Sequence, residues 1–532
     1  MSELKGTGLL ARLAIRRGRI GLAAYAFFLV MTVVGGTSSL AKMYPTQAMR
    51  DELATTINGS YAFKAFIGPL FAPSIEGIMA WRTGEFIYLL IAVMAVLTVA
   101  RNTRGDEEAG RQELVRAGIV GRFAPLTASL AAAFAAALAI GLLSTAGLAG
   151  IGLDTNGSIA FGLAIAGVGC LFGGVAAVAA QLTSSARTAI AMALGVLAVA
   201  ATLRFIGDGS ENPSIAWLSW LSFISWGQQV QPFANEQWWI FGLMGATTGT
   251  LVAIAYLLQA RRDLGGGLLA ARAGPASGRI AGPVALAWRQ HRLLLLIWAA
   301  ASAITAIFFT SIARTLPAVA TNSPAVAEFL RRYGGSGANM EAAFFEAILL
   351  AVGLSSAIYP IIVILRMRVE ETGGAGELML STSVSRLRWM FSHFLFAALG
   401  PLLLCAAVGV AGALALNPGD GVQPADLLLG ALARAVPIWV IAAAILLVFG
   451  LAPRLLLAAS AVVWLMVAMF GEVIGPMAGL DYWTANRISP FHYVPHIVGG
   501  DAFSLVPIAG LFGVAAALAA AGAFFFQRRD FG

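Results

Sequence analysis

Residues 104–122 read RGDEEAGRQELVRAGIVGR, and residues 368–386 read RVEETGGAGELMLSTSVSR. Aligned without a gap, seven of the nineteen positions are identical: Arg104/Arg368, Glu107/Glu371, Gly110/Gly374, Glu113/Glu377, Leu114/Leu378, Val120/Val384 and Arg122/Arg386. Asp106/Glu370 keeps its charge as well. Chance would supply roughly one or two matches, so the pair marks an internal duplication. Each copy is a charged island directly after a long apolar segment.

The surrounding chain is built for lipid. Of its 532 residues, 59% are hydrophobic and 11% charged, against about 25% charged in a soluble domain. A mean hydropathy of +0.83 leaves too little polar surface to cover a water-soluble particle, so the expected class is an all-α polytopic membrane protein. The net charge of +8 is nearly all arginine, with lysine only at Lys5, Lys42 and Lys64. Such a balance fits inner loops and lipid headgroups and excludes a nucleic-acid partner as the economical reading. Cys170 and Cys405 lie in apolar segments and form no disulfide framework or metal spacing. Arg12, Arg16, Arg17 and Arg19 precede a run long enough to span, with no small-residue cleavage pattern, so the N-terminus is not expected to be a signal peptide.

A span needs about 20 apolar residues. Twelve candidates lie near 20–41, 84–101, 123–149, 157–183, 187–206, 238–260, 293–313, 343–366, 389–415, 427–450, 455–475 and 504–527. Arginine is concentrated in alternate connections, which predicts an inner-membrane protein with both termini in the cytoplasm and both islands on that side. The duplication extends further. The sixth span ends in RRDLG (261–265) and the twelfth in RRDFG (528–532); ARLAIRRGRI (11–20) and ALAWRQHRLL (285–294) precede the first and seventh. The latter two are basic amphipathic stretches, expected to lie on the inner surface before the chain turns into the membrane. The domain reading is therefore a six-span half over 1–262, a Gly/Ala/Pro-rich linker over 263–283 and a second six-span half over 284–532. The long outer connections 42–83 and 314–342 follow the first span of each half, and the first includes AMRDELATTI, expected to be a short helix. The Trp-, Pro- and Phe-rich connections 207–237 and 476–503 precede the last spans and suit interfacial or re-entrant elements.

Chemistry is scarce. No lysine sits in a GxxxxGK[ST] phosphate loop. His291, His393, His492 and His496 do not cluster with carboxylates on one helix, and Pro495 interrupts the last pair. The informative chemistry is the island. If it is one helix, Asp106, Glu113 and Val120 share a stripe, as do Glu370, Glu377 and Val384. Repeated acids at one inter-span position favour docking of a soluble partner over a solvated loop. The candidate coupling residues are Asp106, Glu107, Glu108, Gly110, Glu113, Glu370, Glu371, Gly374 and Glu377. The first copy carries a Glu107/Arg111 i, i+4 pair; the second lacks it and has Gly373, Gly374 and Gly376, which weaken a helix by about 1 kcal/mol each. Glu85, Glu346, Arg204, Arg434 and Glu472 lie in or near spans, as candidate substrate contacts or gate pairs. Phe27, Phe28, Met31, Phe308, Phe309, Trp464, Met469 and Phe470 are candidate lining for a bulky apolar substrate.

The island pattern R-x-[DE]-E-x-x-G-x-x-E-L…[VI]-[GS]-R, with AWRTGEF (80–86) before the second span and RRDLG after the sixth, resembles the permease subunits of actinobacterial ABC exporters. The closest type is the tetronasin/polyketide-antibiotic (multidrug) exporter permease within the ABC-2, type V exporter-like class. The resemblance covers essentially the whole chain, although the second half reads ANMEAAF (338–344) where the first has AWRTGEF. It implies a fused pseudo-dimer of two six-helix halves working with two copies of a separate ABC ATPase subunit. The partner would bind ATP and Mg2+, and the chain itself would carry no cofactor and no catalysis. It further implies that 104–122 and 368–386 are coupling helices, and that a bulky amphipathic compound, an antibiotic, drug or lipid, is exported. Two rivals are a proton-coupled drug antiporter, which needs acids at mid-membrane, and a non-transporting membrane scaffold.

Overall fold

The computed structural model describes residues 3–116, 120–210, 212–263, 266–269, 282–313, 332–334, 340–416, 421–470 and 482–531. The chain divides into two compact units, Met1–Gly274 and Pro275–Gly532. Among the described residues the regular structure is helical, without a strand, and eleven helices are long and apolar enough to cross a membrane.

The first unit contains α1 (Thr7–Met43), α2 (Ile75–Ala100), α3 (Ala124–Gly150), α4 (Thr155–Leu182), α5 (Ala186–Asp208) and α6 (Trp239–Arg261). The helix starts are set by side-chain caps. Ser74, Asp154 and Ser185 accept the backbone amides of Gly77, Gly157 and Thr188 and so begin α2, α4 and α5. Because Ser74 starts α2 nine residues ahead of the expected 84, AWRTGEF lies inside the helix rather than before it. The core is α2 on α4: Ile87, Ile91 and Val99 pack with Phe161, Ile165 and Phe172.

The second unit contains α7 (Pro283–Ala313), α8 (Met340–Ser356) running on into α9 (Ile358–Thr372), α10 (Arg386–Ala415), α11 (Pro424–Ala433) running on into α12 (Ala435–Leu451), α13 (Leu456–Met469) and α14 (Leu505–Arg528). Its core joins Tyr359, Val363 and Met367 to Trp389, Ile445, Phe449 and Phe526. The helix α13 covers the beginning of the expected 455–475 span; residues 471–475 lie outside the described ones.

A further expectation changes. The basic stretches before the first and seventh spans do not turn: each is the first part of one unbroken helix, α1 of 37 residues and α7 of 31. Neither stretch contains a proline or a capping break, so the helical hydrogen bonds continue through it. The expected outer helix is present as Gln47–Gly59, started by the Thr46 side chain accepting the amide of Met49. Residues 314–331, 335–339 and 476–481 of the other connections expected on the outer side lie outside the described residues.

Small residues let the helices close. A Cβ on Gly162 would meet the Gly141 carbonyl of α3, and one on Gly450 would meet the Gly522 carbonyl of α14. Large apolar side chains such as Leu142, Val199, Leu414 and Val506 point outward, with Leu414 82% and Val506 81% exposed, which is stable only against lipid. Gly522→Leu should therefore lower the unfolding temperature in detergent, at a cost of about 1–3 kcal/mol from overpacking. Gly513→Leu, where a new Cβ meets nothing within 4 Å, should not. Equal losses at both positions would contradict the close α12–α14 approach.

Candidate coupling site

Neither island is a single helix. Beyond Ala100, α2 passes through one π turn (Arg101–Gly105) into Asp106–Glu108, bends at Gly110 and resumes as Arg111–Arg116. In the second unit α9 ends at Thr372, the chain bends at Gly374, and Ala375–Leu380 follows. Gly110 and Gly374 have φ of 68° and 77°. A side chain is strained in that left-handed region, which accounts for the identical glycine in both copies. The bend removes the expected common stripe: Asp106 and Glu113, like Glu370 and Glu377, lie on different helices.

The acid after each span is buried in an ion pair. Arg104, with no side-chain exposure, donates to Glu107 Oε2 at 2.6 Å, to the Ala180 carbonyl and to the Gly266 carbonyl at 2.9 Å. Arg262, from the RRDLG stretch, donates to Glu107 Oε1 at 2.7 Å and to Gln181 Oε1 at 2.8 Å. The second unit repeats the joint. Arg529, from RRDFG, donates to both oxygens of Glu371, at 2.6 and 2.9 Å, and Arg368 approaches at 3.0 Å. Arg122 donates to the carbonyls of Gln259 and Ala260 at the end of α6; Arg386 donates to that of Arg529 after α14. Three identities of the island, with the repeated Arg262/Arg529, thus build one device in each unit: a buried carboxylate and a carbonyl clasp fastening the island to the last helix. An unpaired carboxylate in such a place is expensive, so the paired geometry is strongly favoured.

The remaining candidates divide clearly. Asp106 meets Arg111 at 2.7 Å and Arg17 of α1 at 3.4 Å. The expected Glu107/Arg111 pair therefore does not form, because the π turn and the Gly110 bend separate those residues. Glu108 accepts the Ala186 amide at the start of α5. Glu370 contacts Arg366 and, at 3.3 Å, His393, which in turn meets His291 at 3.0 Å. Sequence periodicity did not reveal this histidine pair, since its members are 102 residues apart. Glu113 and Glu377 are exposed, and so is Leu378, at 74%.

A second ionic joint closes the other end of each unit. Glu85 of α2 pairs with Arg204 of α5 at 2.8 Å; Arg204 also reaches the Phe66 and Ala65 carbonyls and Gln228. Trp81 donates to the Gly68 carbonyl at 2.7 Å, so AWRTGEF pins the connection after α1. In the second unit Glu346 pairs with Arg434 and accepts the Val498 and Gly499 amides, the first at 2.8 Å. Glu472 lies outside the described residues.

The candidate cavity residues are scattered. Phe27, Phe28 and Met31 are exposed on α1, where Phe28 stacks edge-on with Phe86. Phe308 is buried and half-buried Phe309 packs on it and on Phe344. Trp464 donates to the Leu354 carbonyl, and Phe470 is half-buried. The Met469 side chain is outside the described residues. His492 and His496 lie before α14; burial first, then the Arg487 charge, holds His492 below the usual imidazole range. No group of metal ligands occurs among the described residues.

Residues 280–527, from α7 through most of α14, match the family model described as the C-terminal domain of the multidrug efflux system permease Rv1217c. The chain is also 37% identical over 535 residues to the multidrug efflux system permease protein Rv1217c of Mycobacterium tuberculosis, covering 99% of this chain and 96% of that one. The chain belongs to this family of multidrug efflux permeases. The permease is an all-α, multi-pass membrane protein, and the buried joints above are its most regular charged features. Arg529→Ala should destabilise it by about 3–5 kcal/mol, because Glu371 stays buried with its main partner removed. Thermal unfolding of the purified protein reads this, and Glu371→Gln in the same chain should restore part of the loss. An Arg529→Ala permease that melts like wild type would show that the joint is not structural.

Proposed function

We propose that this permease is the membrane component of an ATP-driven ABC exporter, of the ABC-2, tetronasin-type permease class. It would reside in the cytoplasmic membrane with both termini and both islands in the cytoplasm. Its partners are two copies of a separate ABC ATPase subunit, which bind ATP and Mg2+, together with lipid and a bulky amphipathic substrate such as an antibiotic or drug. The observation that carries the reading is the outward face of each island. After four repeated positions are spent on the internal joint, Glu113 and Glu377 are the identical acids left exposed, each just past the glycine bend.

The proposed cycle follows from that geometry. ATP closes the two ATPase subunits on each other. Their movement carries the islands, and the Glu107–Arg262 and Glu371–Arg529 joints pass it to α6 and α14. The spans change from access on one side to access on the other, and hydrolysis resets them. The antiporter reading lacks a comparable support, since the acids repeated between the halves are in the islands.

Glu113→Lys and Glu377→Lys, singly and together, test this in the permease co-purified with a candidate ABC ATPase subunit. Both sites are exposed, so the fold should change by no more than about 0.5 kcal/mol. The double variant should lose the complex and substrate-stimulated ATP hydrolysis while melting like wild type. Retention of both activities in the double variant would remove the islands from the coupling path.

A further inference from the structure

In the first unit, the segment 266–269 lies across the island joint. The amides of Leu268 and Leu269 donate to the carbonyls of Gln181 and Leu182 at the end of α4, the second at 2.9 Å. The Gly266 carbonyl takes Arg104 and Arg262, each at 2.9 Å. A Cβ on Gly267 would run into the backbone of Thr183 and Ser184, so the segment lies closer than any other residue type allows. It fills the space between the island and the α4–α5 turn, and Arg104 is left with 0% exposure.

Among the described residues, the corresponding space in the second unit is open. Leu365, Arg368 and Val369 on one side, with Pro453, Arg454, Leu456 and Leu457 on the other, line a groove of about 550 Å³. The correspondence is positional: Arg368 is the repeat partner of Arg104, and the Pro453–Leu455 turn joins the fourth and fifth helical spans of its unit as 183–185 does in the first. Arg368 keeps 20% of its side chain exposed, and among the described residues no backbone carbonyl meets it as Gly266 meets Arg104. Val369 and Leu457 are 63% and 71% exposed. Phe531 turns away into the core, against Trp389 and Phe526.

We infer that this groove seats an extended, leucine-bearing segment of the soluble ATPase partner, bound as 266–269 is bound in the first unit; the inference rests on the exporter reading above. The segment would present a backbone carbonyl to Arg368 and its amides to the last carbonyls of α12, which have no helical partner. Its apolar side chains would cover Leu365, Val369 and Leu457, and an acid beside them would meet Arg454. The sister half favours a peptide over a lipid, because a backbone with two leucines is what fills the matched space there. The two halves then hold their partners unequally: the first is closed by its own chain and the second by the partner's.

The test uses the purified full-length permease in detergent and a fluorescent peptide with the sequence of residues 263–270. The peptide should bind saturably at one site per chain. Leu457→Asp should weaken it about tenfold, since a carboxylate would have to be buried against it. Gly267→Val, which expels the permease's own segment, should add a second site. The double Glu113→Lys/Glu377→Lys variant should bind the peptide as wild type does, so the groove and the island acids are read separately. Added ATPase subunit should displace the peptide. Absence of saturable binding, or binding indifferent to Leu457→Asp, overturns the inference. So does displacement by phosphatidylglycerol micelles and not by the ATPase, which would make the groove a lipid seat. If the ATPase binds the permease and leaves the peptide in place, the groove assignment falls while the exporter reading stands. If no ATPase binds at all, the exporter reading falls and the proposed occupant with it.

Discussion

A carboxylate buried between two guanidinium groups governs each half of this permease. Glu107 lies between Arg104 and Arg262, and Glu371 between Arg368 and Arg529. Any movement that separates island from last helix must expose or orphan a charge in a place shielded from water, and that costs several kcal/mol. The island and the end of α6, or of α14, therefore move together or not at all. The carbonyl clasps of Arg122 and Arg386 act in the same direction. Glycine does the opposite work a few residues away, letting the chain turn back at Gly110 and Gly374 and present an acid outward.

The far end of each unit is fastened by a different ion pair. Glu85 holds Arg204 in the first and Glu346 holds Arg434 in the second, and both pairs also tie down backbone from the connections at that end. The arginine comes from α5 in one unit and from the α11–α12 junction in the other, so this joint is matched in kind and not in position. In the proposed exporter the island joint receives the push of the ATPase, and the far joint decides what that push must break or carry along.

Much of this was legible in the chain. Apolar length located the spans, because a helix in lipid has to satisfy its own backbone. The duplicated island and the RRDLG/RRDFG ends were visible as separate repeats. What was not legible is that they are two parts of one joint, since Glu107 and Arg262 are 155 residues apart and no local period connects them. The same holds for Glu85 with Arg204 and for His291 with His393. The bend at Gly110 did have a sequence signal, the identical glycine of the second copy, and a helical reading of the whole island overlooked it. The basic stretches before α1 and α7 looked like surface helices by composition; amphipathic charge alone does not supply the break that a turn needs.

The central claim is that the buried glutamate makes island and last helix one mechanical body. Amide hydrogen exchange of the full-length permease, wild type against Glu371→Gln, reads this most directly. Loss of the charge should raise exchange in 375–380 and in the last turn of α14 together, with the first unit's island unchanged as an internal reference. Faster exchange in 375–380 alone, with the end of α14 as protected as in wild type, would contradict the account.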